Sequence, residues 1–206
     1  MKNILLFLLL VWSWTGHAQW YVGAKGSATF SNYKTTTPWK EVSNMGFASG
    51  VSVYKQINTN LGYNIDLQYI RKGYHHKICN TITDKLEASY LEIPIALDYA
   101  LPSVKNFRVH LNAGVYAAYW LSAKYKMEGF DASSEDFDFE KSKANRFDLG
   151  PVAGTGIEYI LKKGSVLLDV RYELGLLDLQ KTGNDDINNT NRALIIGLSY
   201  RRALRP

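Results

Sequence analysis

A single cysteine, Cys79, stands in a chain of 206 residues, which excludes an internal disulfide framework and any Cys-rich zinc site. Basic and acidic residues nearly balance, 24 Lys and Arg against 19 Asp and Glu. No Lys/Arg cluster is dense enough to form a nucleic-acid-binding surface. Beyond the first segment there is no apolar run approaching the roughly 20 residues of a membrane-crossing helix. Apolar side chains are nonetheless plentiful, at 46% of the chain with 13% aromatic. That is far too many for a disordered protein, and the length suits one domain.

The opening residues read as an address. Met1-Lys2-Asn3 carries one positive charge, Ile4 to Trp12 is unbroken and apolar, and Gly16-His17-Ala18 puts small residues at −3 and −1 of a cut before Gln19. This pattern predicts a secretory signal peptide over residues 1–18 and a mature domain over 19–206. The apolar run is too short for a membrane anchor. No cysteine follows it, so a lipid-anchored lipoprotein is not expected.

The rest of the chain alternates with a period of two, the spacing at which side chains of a strand share a face. Trp20, Val22, Ala24, Gly26, Ala28 and Phe30 form the first apolar row, and Phe47, Ser49, Val51 and Val53 the second. Leu61, Tyr63, Ile65, Leu67 and Tyr69 follow, then Leu91, Ile93, Ile95, Leu97 and Tyr99. The fifth row, from Phe107 by alternate residues to Leu121, is the longest. The last three hold Phe147, Leu149, Ala153, Ile157 and Tyr159, then Val166 to Leu174, then Leu194, Ile196, Leu198 and Tyr200. No charge falls on any apolar row, and no helical stripe of comparable length exists, so the chain is all-β. Pro94 and Pro151 interrupt two segments. Because each removes a ladder donor, a bulge or local strain is expected at both.

The connections alternate between long (Ser31–Met45, Gly73–Leu86, Tyr125–Asn145, Leu177–Asn191) and short. Eight strands of about ten residues joined in this rhythm predict an eight-stranded antiparallel transmembrane β-barrel of the outer membrane. Long loops would lie outside the cell, with short turns and both termini in the periplasm. A soluble barrel would turn its apolar rows inward around a greasy ligand. Two features oppose that. Gly23, Gly46, Gly50, Gly62, Gly114, Gly150, Gly154, Gly156, Gly175 and Gly197 share the polar face, where the scarce room of a narrow bore calls for small residues. Trp20, Phe30, Tyr99, Phe107, Tyr159 and Tyr200 sit near segment ends on the apolar face, where interfacial girdles lie.

The polar rows place Asp66, Glu92, Asp98, Asp148, Glu158, Asp169 and Glu173 in the lumen with Lys25, Arg108, His110 and Arg171. Charges confined in a narrow barrel must find partners, so these residues read as a salt-bridged structural plug rather than acid/base machinery. His110 shares that face with Arg108 and Asn112, away from the lipid-facing rim where a lipid-modifying enzyme would need it. His75, His76 and Cys79 in the second long loop are weak candidates for a metal site, and no catalytic residue or cofactor is expected. The stretch Glu128–Glu140 holds six acids interleaved with Phe130, Phe137 and Phe139. It offers a protein-contact surface on a barrel that is otherwise monomeric and bathed in outer-membrane lipid.

Four motifs carry a resemblance. Leu91-Glu92-Ile93-Pro94-Ile95-Ala96-Leu97-Asp98-Tyr99, Arg146 to Tyr159, Asp169 to Leu176 and Asn191 to Tyr200 occur in the order of strands in the PorT-like outer-membrane β-barrel family. The chain resembles that family over nearly all of its mature length. The resemblance implies the barrel fold and, from the family's namesake, a part in type IX protein secretion or gliding with partners in that apparatus. One departure is that six residues, Arg201 to Pro206, follow the closing Tyr200. Three functions therefore compete: a plugged structural or interaction module, a component of the secretion apparatus, and a narrow pore.

Overall fold

The computed structural model describes residues 19–34, 40–77, 83–128, 133–142, 144–179 and 190–204. The expected signal peptide and Cys79 lie outside them. The strands are β1 (Trp20–Lys34), β2 (Lys40–Gln56), β3 (Leu61–Lys77), β4 (Thr83–Ala100) and β5 (Phe107–Glu128). After the short β6 (Ser133–Asp136) and one helical turn, α1 (Phe139–Ser142), come β7 (Phe147–Leu161), β8 (Gly164–Leu174) and β9 (Thr190–Ala203). Eight of the strands pair antiparallel in a closed ring, β1-β2-β3-β4-β5-β7-β8-β9 and back to β1. The ninth, β6, folds back on the far end of β5, outside the ring.

Closure fixes the bore. Traced from pair to pair, Tyr21 leads to Tyr54, Asn64, Ala96, Gly114, Val152, Glu173 and Ala193, and returns to β1 at Ser31. A stagger of that size over eight strands implies a tilt of about 40° and an interior just wide enough for side chains. The alternating sequence then sorts itself. Leu97 is 59% exposed and Leu198 57%, while Asp66 and Glu92 are fully buried. A Cβ on the inward-facing Gly114 or Gly150 would collide with the Ile95 or Leu174 carbonyl oxygen, whereas one on the outward-facing Gly26 meets nothing within 4 Å.

The outer face carries an apolar band between two aromatic rings. Trp20 with Tyr63 and Phe107 with Tyr159 mark the end bearing the termini and short turns. Phe47 with Tyr69 and Tyr119 with Phe147 mark the end bearing the loops. From Phe107 to Tyr119, at about 3.3 Å per residue and a tilt near 40°, the rise is roughly 30 Å, the thickness of a hydrocarbon core.

Two expectations need correction. Much of what reads as long loop is strand: β1 and β2 run on to Lys34 and from Lys40, β3 and β4 to Lys77 and from Thr83, and Tyr125 to Glu128 belong to β5. Beyond the lipid band the outer face needs no apolar residues, so the two-residue signal fades while the hydrogen-bond ladder continues. Bulges are absent at Pro94 and Pro151. The β3–β4 ladder skips the pairs around Pro94 without changing register, and the β7–β8 ladder ends at Val152, one residue from Pro151. Each proline thus sits where its missing N–H interrupts or terminates a ladder on one side only. Register shifts occur instead at Ser43/Ala48 and Ser89/Tyr90. At the second, Leu121 is the extra residue in β5, and beyond it the odd-numbered Ala123 turns inward. The register near Tyr200 is continuous: Tyr200 faces out opposite Ala24, and pairing runs on to Ala203 against Tyr21.

An arginine at Val115, 53% exposed in the middle of the band, is expected to lower the free energy of folding into vesicles by about 2–4 kcal/mol. Urea titration of Val115→Arg against the parent barrel measures this.

Candidate functional site

The bore is filled in layers. At its centre Lys25 donates to Asp66 at 2.9 Å, Arg171 Nη1 reaches the same oxygen at 2.8 Å, and Arg171 Nε lies 2.8 Å from Asp169. Asn64 ties in by donating to Asp66 and accepting from Ser52 at 2.8 Å. Toward the loop end, Lys72 bridges Glu92 and Glu173, the latter at 2.7 Å, and Gln68 donates to Glu92 at 2.6 Å. The Lys72 ammonium also lies 4.4 Å from the Tyr116 ring centre. One layer further, Tyr116 and Asn191 donate to Asp148 at 3.0 and 2.7 Å, and the Tyr33 and Tyr90 hydroxyls meet at 3.1 Å. Isolated charges at this depth would be prohibitively costly, so the pairing is a condition of folding.

Above these polar layers an aromatic lid seals the loop end. Trp120, fully buried, stacks on Tyr90 at 5.7 Å and on Phe137 at 5.2 Å, while Phe139 meets it edge-on at 5.1 Å. The Arg146 guanidinium lies 4.0 Å over Phe139. Phe137 and Phe139 therefore close the barrel and do not form a contact surface; of the expected aromatic trio, Phe130 lies outside the described residues. Of the acids of that stretch, Glu135, Asp136 and Asp138 are exposed, with Asp136 3.8 Å from Lys124.

At the turn end, both ring nitrogens of His110 face carboxylates, Nδ1 to Asp98 at 2.6 Å and Nε2 to Glu158 at 3.1 Å. Neither nitrogen is left to take a proton from a substrate. Arg108 approaches Glu158 at 3.9 Å from a half-open position at the mouth. His75 and His76 occupy successive positions of β3 opposite Lys85 and Asp84. Among the described residues no group of three or more His, Cys, Asp or Glu is arranged to hold a metal ion.

Two buried cations lie outside the set read from sequence: Lys72 and Arg201. The apolar row of β3 breaks off at Tyr69, but the polar row continues through Asp66, Gln68 and Ile70 to Lys72, and that of β9 continues through Gly197 and Ser199 to Arg201. The excess of seven lumen acids over the expected Lys25, Arg108 and Arg171 was the signal that cations were missing.

On the outside, just above the loop-end aromatic ring, Glu87 gathers Lys85 at 2.8 Å, Lys126 at 3.1 Å and Arg71 at 3.8 Å. Partial burial pushes its carboxyl up, but the hydrogen bonds from Lys85 and Lys126 outweigh this and hold it below its ordinary range. This charged patch lies where the apolar band gives way to polar surface.

The family described as outer membrane protein beta-barrel domain matches residues 9–181. Among solved structures, Neisserial surface protein A aligns with a TM-score of 0.53 at 16% identity, covering 90% of this chain and 97% of that one. Ail, the attachment invasion locus protein of Yersinia pestis, aligns at 0.46 and 15% identity over 88% and 97% of the two chains. OprG of Pseudomonas aeruginosa aligns at 0.47 and 12% over 89% and 95%. No curated protein matches the chain. At these identities the likeness is one of fold.

The doubly clamped lysine offers a direct test of the lumen network. Lys72→Met leaves Glu92 and Glu173 buried without their cation and is expected to cost about 3–5 kcal/mol of folding free energy. Adding Glu92→Gln and Glu173→Gln should recover most of the loss, as read by urea titration of the refolded barrel.

Proposed function

The chain belongs to the outer membrane protein β-barrel domain family, and from that premise we propose that it is a non-enzymatic barrel with a plugged lumen, working as a rigid scaffold and interaction module in the outer membrane. The lumen filling supports this reading: paired side chains occupy successive layers of the bore from His110 to Asp148, with the Trp120 cluster above them. That filling disfavours the narrow pore. Both His110 nitrogens face carboxylates, which disfavours acid/base chemistry at that histidine.

In this reading residues 1–18 are a signal peptide removed on export. The termini and short turns face the periplasm, and the loop end, with the extended β3–β4 and β5–β6 hairpins, faces outward and carries the acidic contact surface. The resemblance to PorT-like barrels makes other proteins of a type IX secretion or gliding apparatus the partner class.

Three measurements check the proposal. Purified barrel in planar bilayers is expected to give no discrete conductance steps; stable steps would establish the pore. With Cys79 replaced by serine, a cysteine placed at the exposed Ser134 should react with an impermeant maleimide on intact cells, and one at Lys163 only after lysis. Co-purification with secretion proteins from solubilised outer membrane would then separate the apparatus component from a stand-alone scaffold.

A further inference from the structure

The two ends of the bore differ. The loop end is sealed by aromatics, whereas the turn end opens into a cavity of about 990 Å3, at the upper end of the range for small-molecule sites. Its floor is the His110–Glu158 pair, and its rim is the β7–β8 turn with the last residues of β9.

The charge of this vestibule is one-sided. Arg108, Lys162, Lys163, Arg201 and Arg202 line it, and Glu158 is the only carboxylate among the lining residues. Glu158 is already engaged by His110 at 3.1 Å and approached by Arg108 at 3.9 Å.

Arg201 stands apart. It is 4% exposed, and its Nε is buried with no hydrogen-bond partner. Among the described residues no carboxylate lies within 4 Å of its guanidinium, whose neighbour is instead the Tyr54 ring at 4.9 Å. Among the described residues the other buried cations, Lys25, Lys72 and Arg171, are each held by one or two acids at short range. A buried guanidinium with no carboxylate in contact range among the described residues, beside an open cavity, suits an anion that would complete its pairing. Tyr21, Val22, Ile160, Leu161 and Leu204 supply apolar wall around it.

We propose that the vestibule binds an organic anion, a carboxylate or phosphate group carried on a short apolar tail, with Arg201 as the anchoring donor and Arg108, Lys162 and Lys163 drawing the anion in. Arg201 presents the planar fork that suits both head groups, and the Tyr54 ring holds that fork in place. The exposed lysines add long-range attraction that salt weakens. That this mouth opens to the periplasm rests on the orientation proposed above. Binding itself does not, so a failed topology experiment and a failed binding experiment are distinct results.

The test is calorimetric titration of the refolded full barrel, in a nonionic detergent, with hexanoate and separately with inorganic phosphate. Saturable one-site binding of hexanoate, tighter than phosphate and weakened by added salt, is the expected result. Arg201→Gln should weaken it by about tenfold or more, as loss of a charge-assisted hydrogen bond implies, and Arg201→Lys should weaken it less. Arg71→Gln, on the outer surface, should leave it unchanged. If Arg201→Gln does not fold, as judged by heat-modifiable gel mobility, the surface double variant Lys162→Gln/Lys163→Gln decides, with a severalfold loss expected. Repeating the titration in phosphatidylcholine nanodiscs with and without phosphatidylglycerol separates the sources: competition assigns the anion to a lipid head group, and no competition to a soluble ligand. Absence of saturable binding by the parent barrel, or binding indifferent to both sets of substitutions, overturns the proposal.

Discussion

Hydrocarbon offers no partner for a peptide N–H or C=O, so a sheet crossing it must satisfy its own backbone everywhere. Closing the ring between β4 and β5 and between β1 and β9 does this, and the geometry of closure dictates the rest. With eight strands and the stagger that returns Tyr21 to Ser31, the bore is narrow. A narrow bore admits few large side chains per layer, which is why glycine recurs on the inward face. Because the outward face must be greasy, the polar residues of every strand are forced together inside, where they must satisfy one another.

That compulsion explains why the interior is ionic and not merely polar. Asp66 accepts from Lys25, Asn64 and Arg171, contributed by three different strands, and Lys72 joins Glu92 of β4 to Glu173 of β8 across the lumen. Such cross-links are weak evidence of added stability, since charges brought out of water begin at a deficit. Their contribution is to register. A one-residue slip of any strand would carry its charges onto the lipid face and its leucines into the bore, and each broken pair would strand a buried charge.

How much of this was legible depended on where hydrocarbon acts. From Trp20 to Phe30, Leu91 to Tyr99 or Phe107 to Leu121, lipid imposes apolar residues on one face, and the period of two is plain. Toward Lys34, Lys77 or Glu128 the ladder has passed beyond the lipid band, so the strands continue with no apolar pattern to announce them. The polar face is legible only by extrapolation, and Lys72 and Arg201 lie just past the last apolar residue of their segments. The Leu121 bulge reverses inside and outside in the middle of an unbroken β5, so strict alternation misassigns the residues from Ser122 onward. Phe137 and Phe139 illustrate a different limit: loop aromatics read as exposed because nothing local shows that they fold back over Trp120.

The same geometry makes the two ends chemically unlike. The loop end carries an aromatic seal because β5 overshoots the membrane and returns through β6 and α1, delivering Phe137 and Phe139 from outside the ring. At the turn end the β7–β8 connection is Lys162-Lys163 alone, and β9 runs to Ala203. The inward row of β9 ends in a cation facing a cavity, whereas the inward cations of β3 and β8, Lys72 and Arg171, lie among acids. With its middle filled by paired charges, the barrel shows its most distinct chemistry at its two ends: among the described residues, aromatics close over the loop end, and a cation-lined cavity opens at the turn end.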